Sequence, residues 1–246
     1  MLSGQKTWIS LGSTAKWVLI FAYPRGKKDG MCAFVVDSES PGFKAEPIKD
    51  KLGLRTSDTS TLYLDRVEVP REDLLGPRGK GLSVALSGLM EGRLGVAAGC
   101  VGVTHDCLVE SLRCAGMRSE NGGLVAENHS VQRHIGLMST SLEAAKLLTL
   151  RAAFMKQRYV EHGEDKEQRE AVDLAITKAK YFASNASLDA ADRGTQIFNA
   201  AGPSLENRCA RHFADTRVSV IFEGANEILE QKIALGSLGK KLEAYS

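Results

Sequence analysis

Glu223 is the residue in this sequence best placed to act as a general base. It follows the mostly apolar run Val218–Phe222 and directly precedes Gly224. A carboxylate in this position either caps a helix starting near Gly224 or is held in a dry pocket, where it could remove a proton beside a carbonyl. Proton removal of that kind also needs donors near the developing oxyanion. The local sequence leaves both alternatives open.

Two arginines and one aromatic–hydroxyl pair are the other candidates. Arg93 lies in an otherwise apolar helical stretch, so it needs an anionic partner, either a protein carboxylate or a ligand phosphate. Arg118, at the end of that stretch, could bond the last helix carbonyls or reach a phosphate. Trp8 and Ser10 are two residues apart in a predicted strand and should share one face. That face suits either a ring-shaped cofactor or ordinary sheet packing.

Composition excludes several other classes of function. The net charge of +2, without a dense basic run, gives no reason to expect a nucleic-acid partner. We found no uninterrupted apolar run long enough for a membrane span and no secretory signal. Cysteines and histidines lack metal-ligand spacing, and there is no P-loop, G-x-G-x-x-G or G-x-S-x-G motif. The five cysteines are interpreted as small buried apolar residues in a reducing compartment.

The elements that must position the candidate residues change type along the chain. Up to about residue 70, segments rich in β-branched and aromatic residues alternate with turns, which predicts strands in KTWISLG, KWVLIFAY, MCAFVVD and STLYLDRVEVP. Helical spacing then predicts long helices over about 80–118, 130–162 and 170–198, with shorter ones after Pro203 and Gly224. We expect an α+β fold, with a partial β-barrel-like antiparallel sheet domain over 1–75 and an antiparallel four-helix-bundle domain over 76–246.

Four segments, taken in order, resemble the acyl-CoA dehydrogenase family. GQKTWIS resembles the family's strand segment ending in Trp-Ile-Thr, and KLGLRTSDTSTLYLDRVEVPREDLLG is similar to its strand hairpin. GKGLSVALSGLMEGRLGVAAGCVGV resembles the helix that opens the C-terminal domain, and IFEGANEI resembles the Glu-Gly-Thr-Asn-Glu-Ile stretch with the catalytic base. The resemblance covers almost the whole chain. The family's N-terminal helical domain has no counterpart here, so we expect something upstream to be missing.

The resemblance implies an FAD-dependent oxidoreductase that removes the α-proton and β-hydride of an acyl-CoA thioester. Glu223 would take the proton, and its backbone N–H and a flavin ribityl hydroxyl would hold the thioester oxygen. Trp8 would stack on the flavin, with the Ser10 hydroxyl near its N5. Other implied contacts are Arg118, Gln196, Gly202, Ala225 and Glu227 for the cofactor, and Arg93, Phe222 and Gly224 for the substrate.

Family members differ in where the base stands. Some carry it directly before the arginine equivalent to Arg93, a position that is Gly92 here, with Glu91 one step further away. The resemblance therefore favours Glu223.

Departures from the family pattern gather on the ADP half of FAD. Asn121 replaces an aromatic and Ala225 replaces a threonine, and further differences are His129, Asn199-Ala200 and Ala214. They leave a second hypothesis open, in which the chain is a truncated or non-catalytic subunit of an acyl-CoA dehydrogenase-like complex with a structural or oligomerisation role.

The resemblance also implies partners and a location. An electron-transfer flavoprotein would reoxidise the flavin in fatty acid metabolism. The chain would form a homodimer or homotetramer, or a heteromer, in the bacterial cytoplasm or the mitochondrial matrix.

Overall fold

The structure is a computed structural model that describes residues 1–27, 29–120, 122–162 and 166–239. The chain divides into two compact units, Met1–Leu89 and Met90–Ser246. This division falls inside a long helix, α1 (Gly81–Met117). The boundary after residue 75 therefore stays a prediction.

The first unit is built from short antiparallel strands. They are β1 (Leu2–Ser10), β2 (Trp17–Ala22), β3 (Cys32–Asp37), β4 (Phe43–Pro47), β5 (Thr59–Val67) and β6 (Leu74–Leu75). One sheet has the order β1-β5-β4 and the other the order β2-β3-β6. All four predicted strand segments form strands, because their β-branched and aromatic side chains suit a pleated, half-buried surface.

Alternation along β5 shows how this unit forms its core. Ser60, Leu62 and Leu64 are buried, whereas the intervening Thr61 and Tyr63 are more exposed. Successive side chains in a strand point to opposite faces, so one face of β5 contributes to the apolar core. That core also contains Ile20 of β2 and Val36 of β3.

The strand β4 is not among the predicted segments, because its first residue lies in SESPGF, a cluster of Ser, Pro and Gly that is typical of a turn. Phe43 pairs with Leu64 and Pro47 with Ser60. β4 is an edge strand with exposed Lys44 and Glu46, so it lacks the apolar pattern of its neighbours. Polar side chains and proline are typical of edge strands.

The second unit is helical. It contains the remainder of α1, followed by α2 (His129–His162), α3 (Lys166–Phe198), α4 (Arg208–Thr216) and α5 (Asn226–Leu238). The segment SENGGLVAEN, between the first two predicted long helices, includes a short hairpin of β7 (Ser119–Glu120) and β8 (Gly123–Leu124). The predicted α+β class, with antiparallel sheets followed by a helical domain, is confirmed.

Helix α3 is the central element of the second unit, where it packs against α2, α4 and α5. Its buried face is rich in alanine, including Ala175, Ala179, Ala183 and Ala190. Small side chains allow neighbouring helices to approach closely at native packing density. A charged group buried on this face, such as that of Lys180, therefore requires a hydrogen-bond partner.

Two sequence expectations concern apolar residues. Cys32, Cys100, Cys107 and Cys209 are buried, as interpreted, whereas Cys114 is only half-buried. Within the described ranges, α1 is by length and composition apolar enough to cross a membrane, with a mean hydropathy of 1.3 and 17% of that stretch buried. One such helix is weak evidence for a span, and the absence of a span stays a prediction.

Candidate active site

Arg93 connects α1 to the segment that contains Glu223. Its Nε donates a hydrogen bond of 2.9 Å to the backbone carbonyl of Glu223. Its Nη1 lies 3.5 Å from Oδ1 of Asp173 on α3, an ion pair without a hydrogen bond. Only 8% of Arg93 is exposed. The anionic partner that the sequence required is thus a protein carboxylate, and Arg93 also fixes the candidate base.

Glu223 lies in a tight turn between a 3₁₀ segment (Arg217–Val220) and α5. Its φ is +54°, and Gly224 follows with a φ of +99°. A non-glycine residue in the left-handed region is strained and is found where the surroundings hold it. Here the surroundings include Arg93, which bonds the Glu223 carbonyl.

The capping alternative for Glu223 is wrong. The residue at the N-cap of α5 is Ala225, and no side chain bonds the first amides of this helix there. Glu223 precedes the cap by two positions, because the chain turns through the left-handed conformation before α5 begins. Glu223 itself is partly buried, so its placement as a base in a dry pocket stays a prediction.

The carboxylate of Glu223 fits against α1 at Gly92. A Cβ placed on Gly92 would lie 2.4 Å from Glu223 Oε2 and 2.7 Å from Oε1. Only glycine leaves this space free. Oε2 is buried and has no hydrogen-bond partner within the described part of the chain. A buried carboxylate oxygen without a partner requires an explanation, and catalytic use is one of those that the physics allows.

Glu91 is arranged differently. Its carboxylate contacts the ammonium of Lys156 on α2, and its side chain is 65% exposed. A solvated, ion-paired carboxylate is a poor candidate for a base in a dry pocket. The geometry therefore favours Glu223 over Glu91.

Lys180 supports the same turn from α3, although the sequence analysis did not single it out. It is completely buried, and its Nζ donates to the Gly224 carbonyl at 2.8 Å and to Asn226 Oδ1 at 2.9 Å. Burial lowers the pKa of Lys180 to about 8. Its signal in the sequence was a lysine on the alanine-rich face of α3, one turn after Ile176.

Arg118 lies at a second location, where α1 ends near the end of α3. Its Nη1 donates to the carbonyls of Ile197 at 3.2 Å and Phe198 at 3.0 Å, and its Nη2 donates to Glu120 at 3.0 Å. The side chain is 32% exposed. The carbonyls that Arg118 bonds are therefore those at the end of α3, not those of its own helix.

A polar cavity of about 340 Å³ brings Arg118 and Gln196 together. Among the other side chains that line it are Glu120, Asn128, Ser130 and His134. Gly202 lines an adjacent cavity, which also contains Gln196. Three of the predicted cofactor contacts thus meet at one end of the helical unit.

His134 in this cavity is held as a neutral acceptor. Its Nδ1 accepts a hydrogen bond of 3.1 Å from Arg193 Nη1, because a guanidinium can only donate. Burial, followed by the charge of Arg193, lowers the pKa of His134. The imidazole therefore adds no positive charge to the cavity, whose lining cation Arg118 is paired with Glu120.

Family models identify the chain. The acyl-CoA dehydrogenase middle-domain model matches residues 1–67, and the acyl-CoA dehydrogenase C-terminal-domain model matches residues 79–238. The chain belongs to the acyl-CoA dehydrogenase family. The resemblance inferred from the four sequence segments is confirmed.

Individual acyl-CoA dehydrogenase relatives align with nearly all of the chain. It is 34% identical over 229 residues to the short-chain specific acyl-CoA dehydrogenase of Megasphaera elsdenii, covering 92% of this chain and 57% of that relative. It is 32% identical over 243 residues to subunit CarC of the caffeyl-CoA reductase–Etf complex of Acetobacterium woodii, covering 98% and 61%. The chain thus spans less than two-thirds of the length of either relative.

A solved acyl-CoA dehydrogenase shows the same fold and the family's cofactor. The structure of the Bacillus anthracis enzyme complexed with FAD matches with a TM-score of 0.88 at 27% identity, covering 98% of this chain and 42% of that chain. FAD is therefore the cofactor of this family.

The remaining predicted acyl-CoA dehydrogenase residues lie in both units. In the helical unit, Phe222 is 38% exposed, Ala225 is partly buried and Glu227 is exposed in the first turn of α5. In the strand unit, Trp8 is 62% exposed and Ser10 is also exposed. Their roles stay predictions.

The simple alternation that would place Trp8 and Ser10 on one face of β1 is interrupted. The pairing of β1 with β5 shifts register between Lys6 and Ile9, and Trp8 has a φ of +60°. A register shift interrupts the simple alternation of side chains. The exposed ring of Trp8 nevertheless remains available as a stacking surface.

One departure from the family pattern lies at the end of α3. Asn199 stands where the family has glycine and adopts a φ of +55°, a conformation that asparagine tolerates better than most residues. The substitution thus preserves the backbone turn. Asn121 lies outside the described residues.

Proposed function

We propose that the chain contributes to FAD-dependent α,β-dehydrogenation of an acyl-CoA thioester, with Glu223 as the base. The observation that carries this proposal is the buried, unpartnered Oε2 of Glu223, held beside Gly92. A base must be within reach of its proton and fixed in direction. Arg93, bonded to the Glu223 carbonyl, supplies part of that direction.

The residues near Arg118 fit the phosphate and sugar portion of FAD. Arg118 and Gln196 line one polar cavity and offer donors to a ligand in it. Guanidinium groups suit phosphate because of their charge and planar donor geometry. Trp8 and Ser10 would face the flavin ring, and Gly202, Ala225 and Glu227 would complete the cofactor contacts. When bound, the flavin supplies the two-electron oxidation that the protein's own side chains cannot.

The chain's own residues would act on the substrate's α-carbon and carbonyl oxygen. Glu223 would remove the α-proton, with Phe222 and Gly224 beside the acyl group. The backbone N–H of Glu223 has no backbone acceptor among the described residues, so it is free to donate to the thioester oxygen. A preorganised donor in a water-excluded site stabilises the developing negative charge.

The first test compares two carboxamide variants. Flavin-loaded protein is mixed with an acyl-CoA panel, and the flavin absorbance is followed. We expect E223Q to retain flavin but lose turnover by several orders of magnitude, whereas E91Q stays near wild type because Glu91 contacts Lys156. Unchanged turnover in E223Q would remove Glu223 as the base.

We further propose an electron-transfer flavoprotein as the acceptor of the electrons. This is supported by the similarity to CarC, a subunit of an Etf complex. Five free cysteines suit a reducing compartment, either a bacterial cytoplasm or a mitochondrial matrix. Both proposals are independent of the choice of acyl chain.

A non-catalytic structural subunit is the second candidate function. Glu120 bonds Arg118, so the cation that would meet the cofactor phosphate already has an anionic partner. On α2, Leu147, Leu150 and Phe154 are 57%, 56% and 59% exposed at helical spacing. Such an apolar face suits an interface in a homodimer, homotetramer or heteromer. Absence of flavin from an intact oligomer, even with excess FAD, would favour this candidate.

A further inference from the structure

Lys180 is a fully buried cation that has no role in the function proposed above. Its Nζ donates to the carbonyl of Gly224 and to Oδ1 of Asn226. The amide of Asn226 in turn donates to Ser184 Oγ at 3.0 Å and to Asn185 Oδ1 at 3.2 Å. A buried charge is tolerated only with such partners, so this network joins α3 firmly to the start of α5.

Lys180 and Arg93 act on consecutive peptide groups. Arg93, from α1, bonds the carbonyl of Glu223, and Lys180, from α3, bonds the carbonyl of Gly224. Both cations are nine-tenths or more buried. Charge-assisted hydrogen bonds are shorter and stronger than neutral ones, and a low-dielectric surrounding strengthens them further.

The turn that these cations hold is one that the local sequence does not favour. Glu223 adopts a φ of +54°, a region that residues with a side chain rarely adopt. Such conformations persist only when the surrounding structure determines them. The carbonyl bonds from Arg93 and Lys180 are two described contacts that hold this turn, and Ala225 at the N-cap of α5 adds no side-chain bond.

We propose that Lys180 is a positioning residue that, together with Arg93, clamps the peptide groups of Glu223 and Gly224 and so directs the Glu223 carboxylate toward Gly92. The catalytic consequence rests on the proposed function, whereas the clamp itself is a property of the fold. Lys180 touches neither the substrate nor the carboxylate in this arrangement; it acts through the turn.

Amide hydrogen exchange tests the clamp directly. The reporters are the amides of Ile228 and Leu229, both hydrogen-bonded to the Ala225 carbonyl. In K180M, which removes the donors at similar side-chain length, we expect these amides to exchange at least about tenfold faster, equivalent to about 1.4 kcal/mol. Amides in the middle of α2 (142–158) should change much less.

A core variant on the same helix provides the matched control. I176V removes one buried methylene from α3 without touching the clamp. It should change exchange in α2 and at the start of α5 to the same degree. If K180M shows this uniform pattern, or leaves Leu229 unchanged, the clamp is refuted. Should K180M fail to fold, N226A provides a milder variant, because it removes only one of the two acceptors of Lys180. We expect it to speed exchange at the same two amides, but by a smaller factor.

The kinetic readout separates this inference from the proposed function. In flavin-loaded protein, K180M should lower kcat with a smaller change in KM, because the base is misdirected while substrate contacts remain. If acyl-CoA never bleaches the flavin of the wild-type protein, the proposed function is overturned. Amide hydrogen exchange would then still show whether Lys180 holds the turn. Active wild type with equally active K180M would overturn the positioning role.

Discussion

Substitution of Gly92 by alanine separates the position of the base from the stability of the fold. The new Cβ would lie 2.4 Å from Oε2 and 2.5 Å from Cδ of Glu223. Because carbon atoms prefer separations of about 3.5–4.0 Å, the carboxylate must retreat by about 1 Å or more. The contact is with the flexible end of a side chain, so the displacement itself is inexpensive.

The expected effects on stability and activity differ in size. Replacing glycine within a helix favours the folded state by about 0.5–1 kcal/mol, which offsets the displacement, so the free energy of unfolding should change by less than about 1 kcal/mol. Activity should fall by about 10²-fold, since a 1 Å misplacement of a reacting group can cost that much. Denaturant unfolding and flavin reduction by acyl-CoA measure the two quantities.

Gly95 provides the control on the same helix. A Cβ at Gly95 would meet nothing within 4 Å among the described residues. G95A should therefore gain about 0.5–1 kcal/mol of stability and leave turnover unchanged. If G92A and G95A turn over at the same rate, the space beside Gly92 does not position the base, and the assignment of Glu223 loses its main support.

Three further predictions follow from other contacts. Because the pKa of Lys180 is lowered to about 8, the unfolded chain binds more protons than the folded chain between about pH 8 and 10.5. The free energy of unfolding of the wild type should therefore rise across that window relative to K180M, by on the order of 3 kcal/mol at most. A difference between the two proteins that does not change with pH in denaturant titrations would contradict this. E120Q should tighten FAD binding severalfold by releasing Nη2 of Arg118, measured by flavin fluorescence, and equal or weaker binding would show that the ion pair does not compete. L150K should reduce the fraction of oligomer measured by light scattering, whereas the charge reversal K146E at a neighbouring exposed position should not. An unchanged oligomer in L150K would exclude that face of α2 as the interface.

The sequence predicts the element types well and their edges less well. Period-two and helical patterns identify the main strands and long helices, because each buries one face. The edge strand β4 is not predicted, because Lys44 and Glu46 leave it without an apolar face that a period-two pattern could identify. The hairpin after α1 is not predicted, because each of its strands is only two residues long. Short elements depend on pairing partners that local sequence does not contain.

Parts of the candidate site were likewise visible in the sequence. Glu223 was recognisable from its apolar surroundings and its family motif, and Arg93 from its need for a partner. That partner, Asp173, lies eighty positions away on α3 and could not be identified from spacing. Arg118 and Gln196 were implied by resemblance, but their common cavity exists only because the ends of α1 and α3 meet.

Gly92 and Lys180 show why the rest of the site could not be predicted from the sequence. In sequence, Gly92 is one of several glycines in α1, and its special status comes from a carboxylate more than a hundred residues away. Lys180 looks like a misplaced charge until the carbonyl of Gly224 is found at its ammonium. Gly92 acts on Glu223 by leaving space for its carboxylate, and Lys180 acts on it by holding the next peptide group. Chemistry-bearing side chains can be recognised by type, whereas the residues that direct them are recognisable only by what they touch.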